Sequence, residues 1–316
     1  MSGETTAIVT VYHPDKERLQ SLLEAVSKEV SHVVIIDNGG LDDSHLIDKS
    51  KIEVLHPKQN IGIAAAQNSG VKLAIDRGAS FVVFFDQDSL PQPNLINNLL
   101  IAYKQLAAAG CRPAAVGPRI VDRETNQHAP FVQFNVSGVK KQLGIRKNDS
   151  VRCDFLVASG MLTSCERFKE VGACEEDLFI DNVDFEWCFR AKSKGYACFG
   201  VPNATLYHSI GDAARHVGIG HKKGRIALHS PVRQYYIMRN RIHMYKRWYV
   251  PLAWKIQDLP RAIFKSVYFS TMVKSRCQNA KAIVRGIWDG LTNVYGPIDG
   301  RYRRSAVHTN VRGSTL

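Results

Sequence analysis

The sequence predicts an α/β protein: a parallel sheet covered by helices on both faces, followed by a helical segment of different chemistry. Three observations carry that expectation. Short β-branched runs alternate with amphipathic helical patterns through the N-terminal third, acidic clusters follow runs where strands would end, and the charge balance breaks near Ser230. Strands alternating with helices of this length imply a parallel sheet buried on both sides. In such sheets ligands bind beyond the carboxyl ends of the strands.

Ala7-Ile-Val-Thr-Val-Tyr12 opens the pattern as a strand, and Pro14 introduces a helix with apolar Leu19, Leu22, Leu23 and Val26. His32 to Ile36 is the second strand, ending in the turn-forming Asp37-Asn-Gly-Gly40, and Ile52 to Leu55 is the third. A helix from about Ala64 to Arg77 closes at Gly78. Phe81-Val-Val-Phe-Phe85 then runs into Asp86-Gln-Asp88, and Pro93 stands where a helix through Ala108 would begin. Short apolar runs at Ala114 to Val116 and Phe155 to Val157, with a helix from about Asp184 to Lys194, are expected to complete the sheet. Residues 211–231, rich in Gly, His and Lys, read as an exposed loop. Beyond Ser230 come amphipathic helical stretches broken at Pro251 and Pro260, with an end that frays from residue 296.

A chain of 316 residues has room for one large or two modest domains with a real core. Its 45% apolar and 22% charged residues exclude wholesale disorder and fibrous composition. No window of about 18 mainly apolar residues appears. The start MSGETTAIVTVY lacks the basic and apolar blocks of a secretory signal, so neither export nor membrane spanning is expected. Seven cysteines without a CxxC pair indicate neither a disulfide framework nor a zinc ribbon, and a reducing cytoplasm fits. The net charge of +13 is unevenly placed: residues 1–229 hold 26 Lys/Arg and 26 Asp/Glu, whereas residues 230–316 hold 16 and 3. Twelve of the 28 aromatic residues lie in that second part, so the boundary is drawn between 1–229 and 230–316.

Asp86-Gln-Asp88 puts two carboxylates at a strand's carboxyl end, where they suit a hard cation or a diphosphate, although Asp is also an ordinary turn residue there. In Phe179-Ile-Asp-Asn-Val-Asp-Phe-Glu-Trp-Cys-Phe-Arg190, Asp184 reads either as a helix N-cap or as a general base, with Glu186 the local competitor for the second role. His208 is a metal-ligand candidate or a plain hydrogen-bonding histidine. Asn60-Ile-Gly-Ile-Ala-Ala-Ala-Gln-Asn-Ser-Gly70 suggests amide contacts to a ligand, or a small-residue helix packed closely on the sheet. No G-x-G-x-x-G follows the first strand and no G-x-x-x-x-G-K-[ST] occurs, which disfavours dinucleotide and P-loop readings.

Taken in order, Thr10-Val-Tyr12, Asp37-Asn-Gly, the Asn60–Gly70 loop, Asp86-Gln-Asp88, Ser159-Gly160, the Asp181–Arg190 run and His208 resemble family 2 glycosyltransferases of GT-A fold, over roughly residues 5–245. The segments FFDQDS, FIDNVDFEWCFRAKSKGY and SPVRQYYIMRNR look most like the bacterial dTDP-rhamnosyltransferase branch. The resemblance implies a Rossmann-like, mostly parallel central sheet flanked by helices, carrying a basic C-terminal helical extension. It also implies an inverting, Mg2+- or Mn2+-dependent transfer of L-rhamnose from dTDP-L-rhamnose to a lipid-linked surface polysaccharide precursor.

By match, Thr10, Tyr12 and Asp37 would line the base and ribose pocket, and Asn60 and Asn68 would lie along the donor. Asp86 would face the donor's sugar or ribose, Asp88 and His208 would ligate the metal, and Ser159, Gly160 and Trp187 would meet the acceptor. Asp184 would be the base. Val183 stands where many relatives carry Glu, which makes Asp181 or Glu186 the candidate for that missing acid's part. A UDP-sugar donor, such as a galactofuranosyl one, is the alternative.

The aromatic and cationic stretch from Tyr235 to Tyr249, and that from Trp254 to Lys274, suits an anionic membrane surface at the cytoplasmic face. Helices packed on the catalytic domain with a solvated basic face are the plainer reading, and nucleic acid, though compositionally possible, is not the expected partner. Two other classes stay in view. A nucleotidyltransferase lacks its Gly-rich, Arg-containing phosphate loop here, and a non-catalytic scaffold of polysaccharide assembly would need none of Asp88, Asp184 and His208. The oligomeric state is not legible.

Overall fold

The computed structural model describes residues 4–304 apart from 47–49, 124, 145–149, 209–212 and 220–221. β1 (Thr5–Val11) leads through α1 (Lys16–Val26) to β2 (His32–Asp37) and β3 (Ile52–Leu55), then through α2 (Gly62–Asp76) to β4 (Phe81–Asp86). A short β5 (Leu90–Pro91), α3 (Leu95–Ala108) and the long β6 (Pro113–Asp122) follow, with a hairpin of β7 (Phe131–Asn135) and β8 (Gly138–Gln142). β9 (Val151–Cys153), β10 (Leu162–Ser164), α4 (Cys165–Val171), α5 (Val183–Ser193) and β11 (Ala197–His208) complete the central body. Beyond it lie β12 (Ala213–Ile219), β13 (Lys222–Leu228), α6 (Pro231–Lys246), α7 (Leu252–Thr271), α8 (Arg276–Leu291), β14 (Val294–Tyr295) and β15 (Tyr302–Arg303).

The central nine-stranded sheet runs β3-β2-β1-β4-β10-β6-β11-β5, with β9 also on β11. β3, β2, β1 and β4 are mutually parallel, as are β6 and β11, and the three-residue β10 joins the two blocks in reverse. Side chains of β1, β2 and β4 alternate between two cores, as the two-residue period requires. Ile8, Val34, Ile36 and Phe84 pack under α2, α4 and α5, while Val9, Ile35, Val83 and Phe85 pack under α1 and α3. Asp15 starts α1 by accepting from the Arg18 amide at 2.9 Å.

A Cβ at Gly70 would lie 2.5 Å from Ile8 Cγ2, so α2 rides directly on β1. The small residues of Asn60–Gly70 are therefore largely explained by that close packing.

Four expectations need correction. Phe155 to Val157 is irregular rather than a strand: Phe155 stacks on Phe185 at 4.0 Å and Leu156 fills the space above Gly117, so burial there comes from side-chain packing without a ladder. Residues 211–231 hold a hairpin, with Ala213 opposite Leu228, although the composition reads as loop; residues 211, 212, 220 and 221 are outside the described ones. Mutual backbone pairing supplies what strand propensity does not. Pro251 does end a segment, but Pro260 lies within α7, on its exposed side. The end expected to fray from 296 includes β15, which pairs back on β14, and residues 305–316 are outside the described ones. Among the described residues no helix is long and apolar enough to cross a membrane.

Candidate active site

The carboxyl ends of β2, β1 and β4 lie side by side. Register pairs Val11 with Asp37 and Thr10 with Asp86, so two carboxylates flank the end of β1. Asp37 is fixed as a turn anchor, its Oδ1 accepting from the amides of Gly39 (2.8 Å) and Leu41 (3.3 Å), and its Oδ2 lies 3.2 Å from His56. Tyr12 is 52% exposed at the rim. Its backbone is clamped by Gln87, which accepts from Tyr12 N at 2.7 Å and donates to Tyr12 O at 3.1 Å. Asn60 caps the entry to α2 by accepting from Gly62 N at 2.8 Å, and Asn38 ties that loop to β2 through Ile61 and Gly62.

His208 reaches the same edge because β5 pairs antiparallel with β11, setting Tyr207 opposite Leu90. That register leaves His208 beside the residues just before β5. Its Nδ1 is 3.5 Å from Asp88 Oδ1 and 3.4 Å from Ser89 Oγ, and its Nε2 is 3.8 Å from Asp86 Oδ2. Ser159 is buried beneath them, with its Oγ on Ser89 Oγ and accepting from Asp86 N at 3.3 Å. Gly160 adopts φ +81°, donates to Phe84 O at 2.7 Å, and has no room for a Cβ against Pro118. Burial raises the Asp86 carboxyl above its ordinary range, with Asp88 adding to that effect and His208 and Arg233 opposing it.

Asp184 occupies the first turn of α5, after Asn182 at the N-cap position, so it is not the cap itself. Its Oδ1 accepts from Phe185 N at 2.8 Å. Burial raises its pKa to about 6, the neighbouring Asp181 and Asp86 push the same way, and backbone donors of Phe185 and Ala158 oppose them. A carboxylate that changes protonation near neutrality, beside the Ala158–Gly160 turn and within electrostatic reach of Asp86, suits proton abstraction.

The loop before α5 is unusual. Phe179 (φ +65°, ψ −63°) centres a γ-turn closed by Ile180 N donating to Leu178 O at 2.8 Å, and Asp181 and Asn182 also have positive φ. α6 holds this shape. The buried Asn240 amide donates to Leu178 O (2.9 Å), Ile180 O (2.6 Å) and Asp181 O (2.9 Å), Arg239 donates to Leu178 O (3.0 Å), and Arg233 brackets the Asp181 carboxylate at 3.2–3.3 Å. Arg233, Asn240, Ser89 and Gln87 are the site residues that sequence reasoning did not single out. Their one signal was membership in SPVRQYYIMRNR and FFDQDS.

Three expected site residues lie elsewhere. Glu186 is 0% exposed and locked by Arg190 (2.8 Å), Arg247 (3.5 Å) and the Tyr249 hydroxyl (2.6 Å), partners that together hold its pKa down to about 2 against the cost of burial. No face is left for an acceptor hydroxyl. Trp187 is wholly buried, stacked on Phe168 with its indole N–H donating to Gly172 O, which excludes acceptor contact. Asn68 faces inward from α2, exchanging hydrogen bonds with the backbone of Cys174 and donating to Glu176.

For a divalent cation the fit is partial but sound. Among the described residues no group of three or more His, Cys, Asp or Glu side chains converges to hold an ion. Asp88 and His208 nevertheless stand 3.5 Å apart, close to the roughly 3 Å between adjacent ligands on an octahedral ion with bonds of about 2.1 Å. One carboxylate and one imidazole leave positions for phosphate oxygens and water, as a substrate-bridging Mg2+ or Mn2+ would need.

Residues 6–166 match the sequence model of Glycosyl transferase family 2. The chain is 29% identical over 307 residues to the dTDP-rhamnosyl transferase RfbF of Shigella flexneri, covering 96% of this chain and 99% of that one. It is 25% identical over 217 residues to the pre-mycofactocin glycosyltransferase of Mycobacterium tuberculosis, 66% of this chain and 44% of that one. Among solved structures, GalNAc-T7 with UDP, GalNAc and Mn2+ superposes with TM-score 0.58 at 14% identity, over 90% of this chain and 55% of that one. S. aureus TarS 1-349 with UDP-GlcNAc does so with TM-score 0.57 at 14% identity, over 90% and 81%. These likenesses establish the GT-A architecture expected from the sequence.

Proposed function

The chain belongs to glycosyl transferase family 2, and on that premise we propose that it transfers L-rhamnose from dTDP-L-rhamnose, with inversion, to a hydroxyl of a lipid-linked surface glycan precursor at the cytoplasmic face of the membrane. Similarity to a dTDP-rhamnosyl transferase along almost the whole chain supports the donor. The observation that carries the chemistry is the shared strand edge, where the Asp88–His208 pair faces Asp86 and the half-buried Asp184 lies beside the turn that holds them.

The nucleoside lies along Thr10, Tyr12 and Asp37, with Asn60 at the border and Asp86 toward the sugar. Asp88 and His208 would hold a divalent cation, which would neutralise the charge gathering on the leaving diphosphate. Arg233, paired with Asp181 and felt by Asp86, adds a fixed positive charge at the same place. Asp184 takes the acceptor's hydroxyl proton while that oxygen bonds to the anomeric carbon. The bond from that carbon to the diphosphate oxygen breaks, and dTDP leaves with the electron pair. Ser159 and Gly160 shape the acceptor side by fixing the backbone next to Asp184.

Thermal stabilisation by dTDP-L-rhamnose, UDP-galactose and UDP-galactofuranose, each with Mn2+ and with chelator, tests this reading. A ligand at 100 times its Kd adds about 2.7 kcal/mol. Metal-dependent stabilisation by dTDP-L-rhamnose that Asp88→Ala abolishes is expected. Stabilisation by a UDP-sugar alone would replace the donor, and no response to any donor would overturn the assignment.

A further inference from the structure

α7 is amphipathic in an inverted sense. Trp254, Asp258, Ala262, Tyr268 and Phe269 form its packed side, yet Leu252, Ile256, Leu259, Ile263 and Val267 are 43–65% exposed. Their spacing of four, three, four and four residues draws one continuous apolar stripe along the helix. α8 repeats the feature on a smaller scale, with Val284, Trp288 and Leu291 55–65% exposed at the same kind of spacing. Soluble monomers rarely leave such stripes uncovered without a partner.

The charges beside the stripes identify the partner. Lys281 and Arg285 flank Val284 and Trp288 on α8 and, with Lys274 and Arg276 at its start, are exposed, whereas Arg261 and Lys265 leave α7 on the side of Asp258 and Phe269. The two acids of these helices, Asp258 and Asp289, are buried against Arg241 and Arg301. Outward charge on α7 and α8 is therefore cationic only. A second copy of the chain would bring like charges together, whereas an anionic lipid surface takes both the apolar stripes and the cations that flank the one on α8.

We propose that α7, supported by α8, lies in the interface of an anionic phospholipid bilayer, with Ile256, Leu259, Ile263 and Val267 entering the acyl boundary. This deepens the reading above, in which the acceptor is lipid-linked, and fixes which face meets the membrane. Neither helix is long and apolar enough to span, so the attachment is in-plane and reversible.

Cosedimentation with mixed phosphatidylcholine–phosphatidylglycerol vesicles, against phosphatidylcholine alone, tests the proposal with the full chain. Wild type should pellet with the anionic vesicles and be released by salt. The double variant Ile263→Glu/Val267→Glu should lower the partition at least ~10-fold, and Lys274→Glu/Lys281→Glu should lower it by a similar factor. Both pairs are exposed, so each variant should keep the wild-type melting temperature and its stabilisation by dTDP-L-rhamnose. Retention of wild type in the supernatant at low salt would overturn the proposal, as would pelleting of the variants like wild type. A sedimentation-velocity dimer that Ile263→Glu/Val267→Glu dissociates would assign the face to a second copy instead. Loss of donor stabilisation with vesicle binding intact would remove the donor reading and leave the membrane face standing.

Discussion

Replacing Asp184 with Asn should lower turnover and raise stability together, a pairing that a structural carboxylate cannot produce. Burial lifts this carboxyl from 3.8 to about 6, so ionising it in the folded protein is unfavourable. The sign follows from linkage: a folded pKa above the unfolded one gives a contribution fully present below about pH 4 and lost as pH rises through about 6. At pH 8 the wild type therefore carries the cost of a charged, partly desolvated carboxylate. A displacement from 3.8 to about 6 corresponds to about 3 kcal/mol, reduced to about 1–2 kcal/mol because the side chain is only half-buried and partly screened. Asn keeps an oxygen to accept from Phe185 N and removes the charge, so its melting temperature at pH 8 should rise by a few degrees. The difference from wild type should vanish toward pH 4. Loss of the base should cost about 10²- to 10⁴-fold in kcat, with donor binding retained. Wild-type kcat/KM should rise through about pH 6 to a plateau. The assay is dTDP release with acceptor, followed by chromatography across pH and set beside thermal melts of both proteins. Near-normal turnover of Asp184→Asn would refute the assignment, and joint loss of activity and stability would make Asp184 a structural residue.

Glu186→Gln should act oppositely. It leaves Arg190 and Arg247 buried without their anion and should cost about 3–5 kcal/mol, read by urea denaturation at pH 7. Because the Glu186 pKa is depressed to about 2, its contribution is present above about 4.5 and is lost as pH falls through 2, so the deficit should narrow in acid. Asn240→Leu should keep donor affinity while lowering kcat at least ~10-fold, since Ile180 O and Asp181 O of the loop before Asp184 lose the Asn240 amide and Leu178 O is left with Arg239 and Ile180 N; unchanged kcat would show that the loop holds itself. Gly70→Ala should destabilise by about 1–3 kcal/mol in the same denaturation assay, because the added methyl meets Ile8 and Ile36.

The first four strands were legible because both sheet faces are buried, which writes continuous β-branched runs into the chain between helical patterns with clear stops at Gly78 and Gly110. The acidic pair after β4 was legible for the same reason: a strand that ends in Asp must end at the ligand edge. Residues set by distant partners were not. Glu186 and Asp184 look equivalent on the helix pattern, two positions apart, and only Arg247 and Tyr249 from beyond α6 decide that one is interior and the other open to proton exchange. Trp187 and Asn68 carry groups that suit a ligand, but a Trp against Phe168 and an amide bracketing Cys174 serve packing equally well. The β12–β13 hairpin escaped notice because its strands pair only with each other and its Gly, His and Lys content reads as loop.

The charge step at Ser230 marks a change in composition, yet the chemistry runs across it. Several of the cations supplied after Ser230 turn inward: Arg233 meets Asp181, Arg247 meets Glu175 and Glu186, and Arg304 meets Glu175 and Asp177. These contacts surround the loop that carries three positive-φ residues, conformations costing of order 1–3 kcal/mol each. Such a loop persists only when its surroundings over-determine it, and Asn240, Arg239 and the Tyr236 ring stacked on Phe179 at 5.2 Å supply that constraint. The strain has a use: it turns the chain abruptly enough to start α5 with Asp184 beside the Ala158–Gly160 turn. Other cations, such as Lys274, Lys281 and Arg285, face outward beside the apolar stripe of α8. The basic excess of residues 230–316 thus divides into a buried part that shapes the loop before Asp184 and a surface part that faces outward, so on the proposed reading one segment would both position the base and bring it to a lipid-borne acceptor.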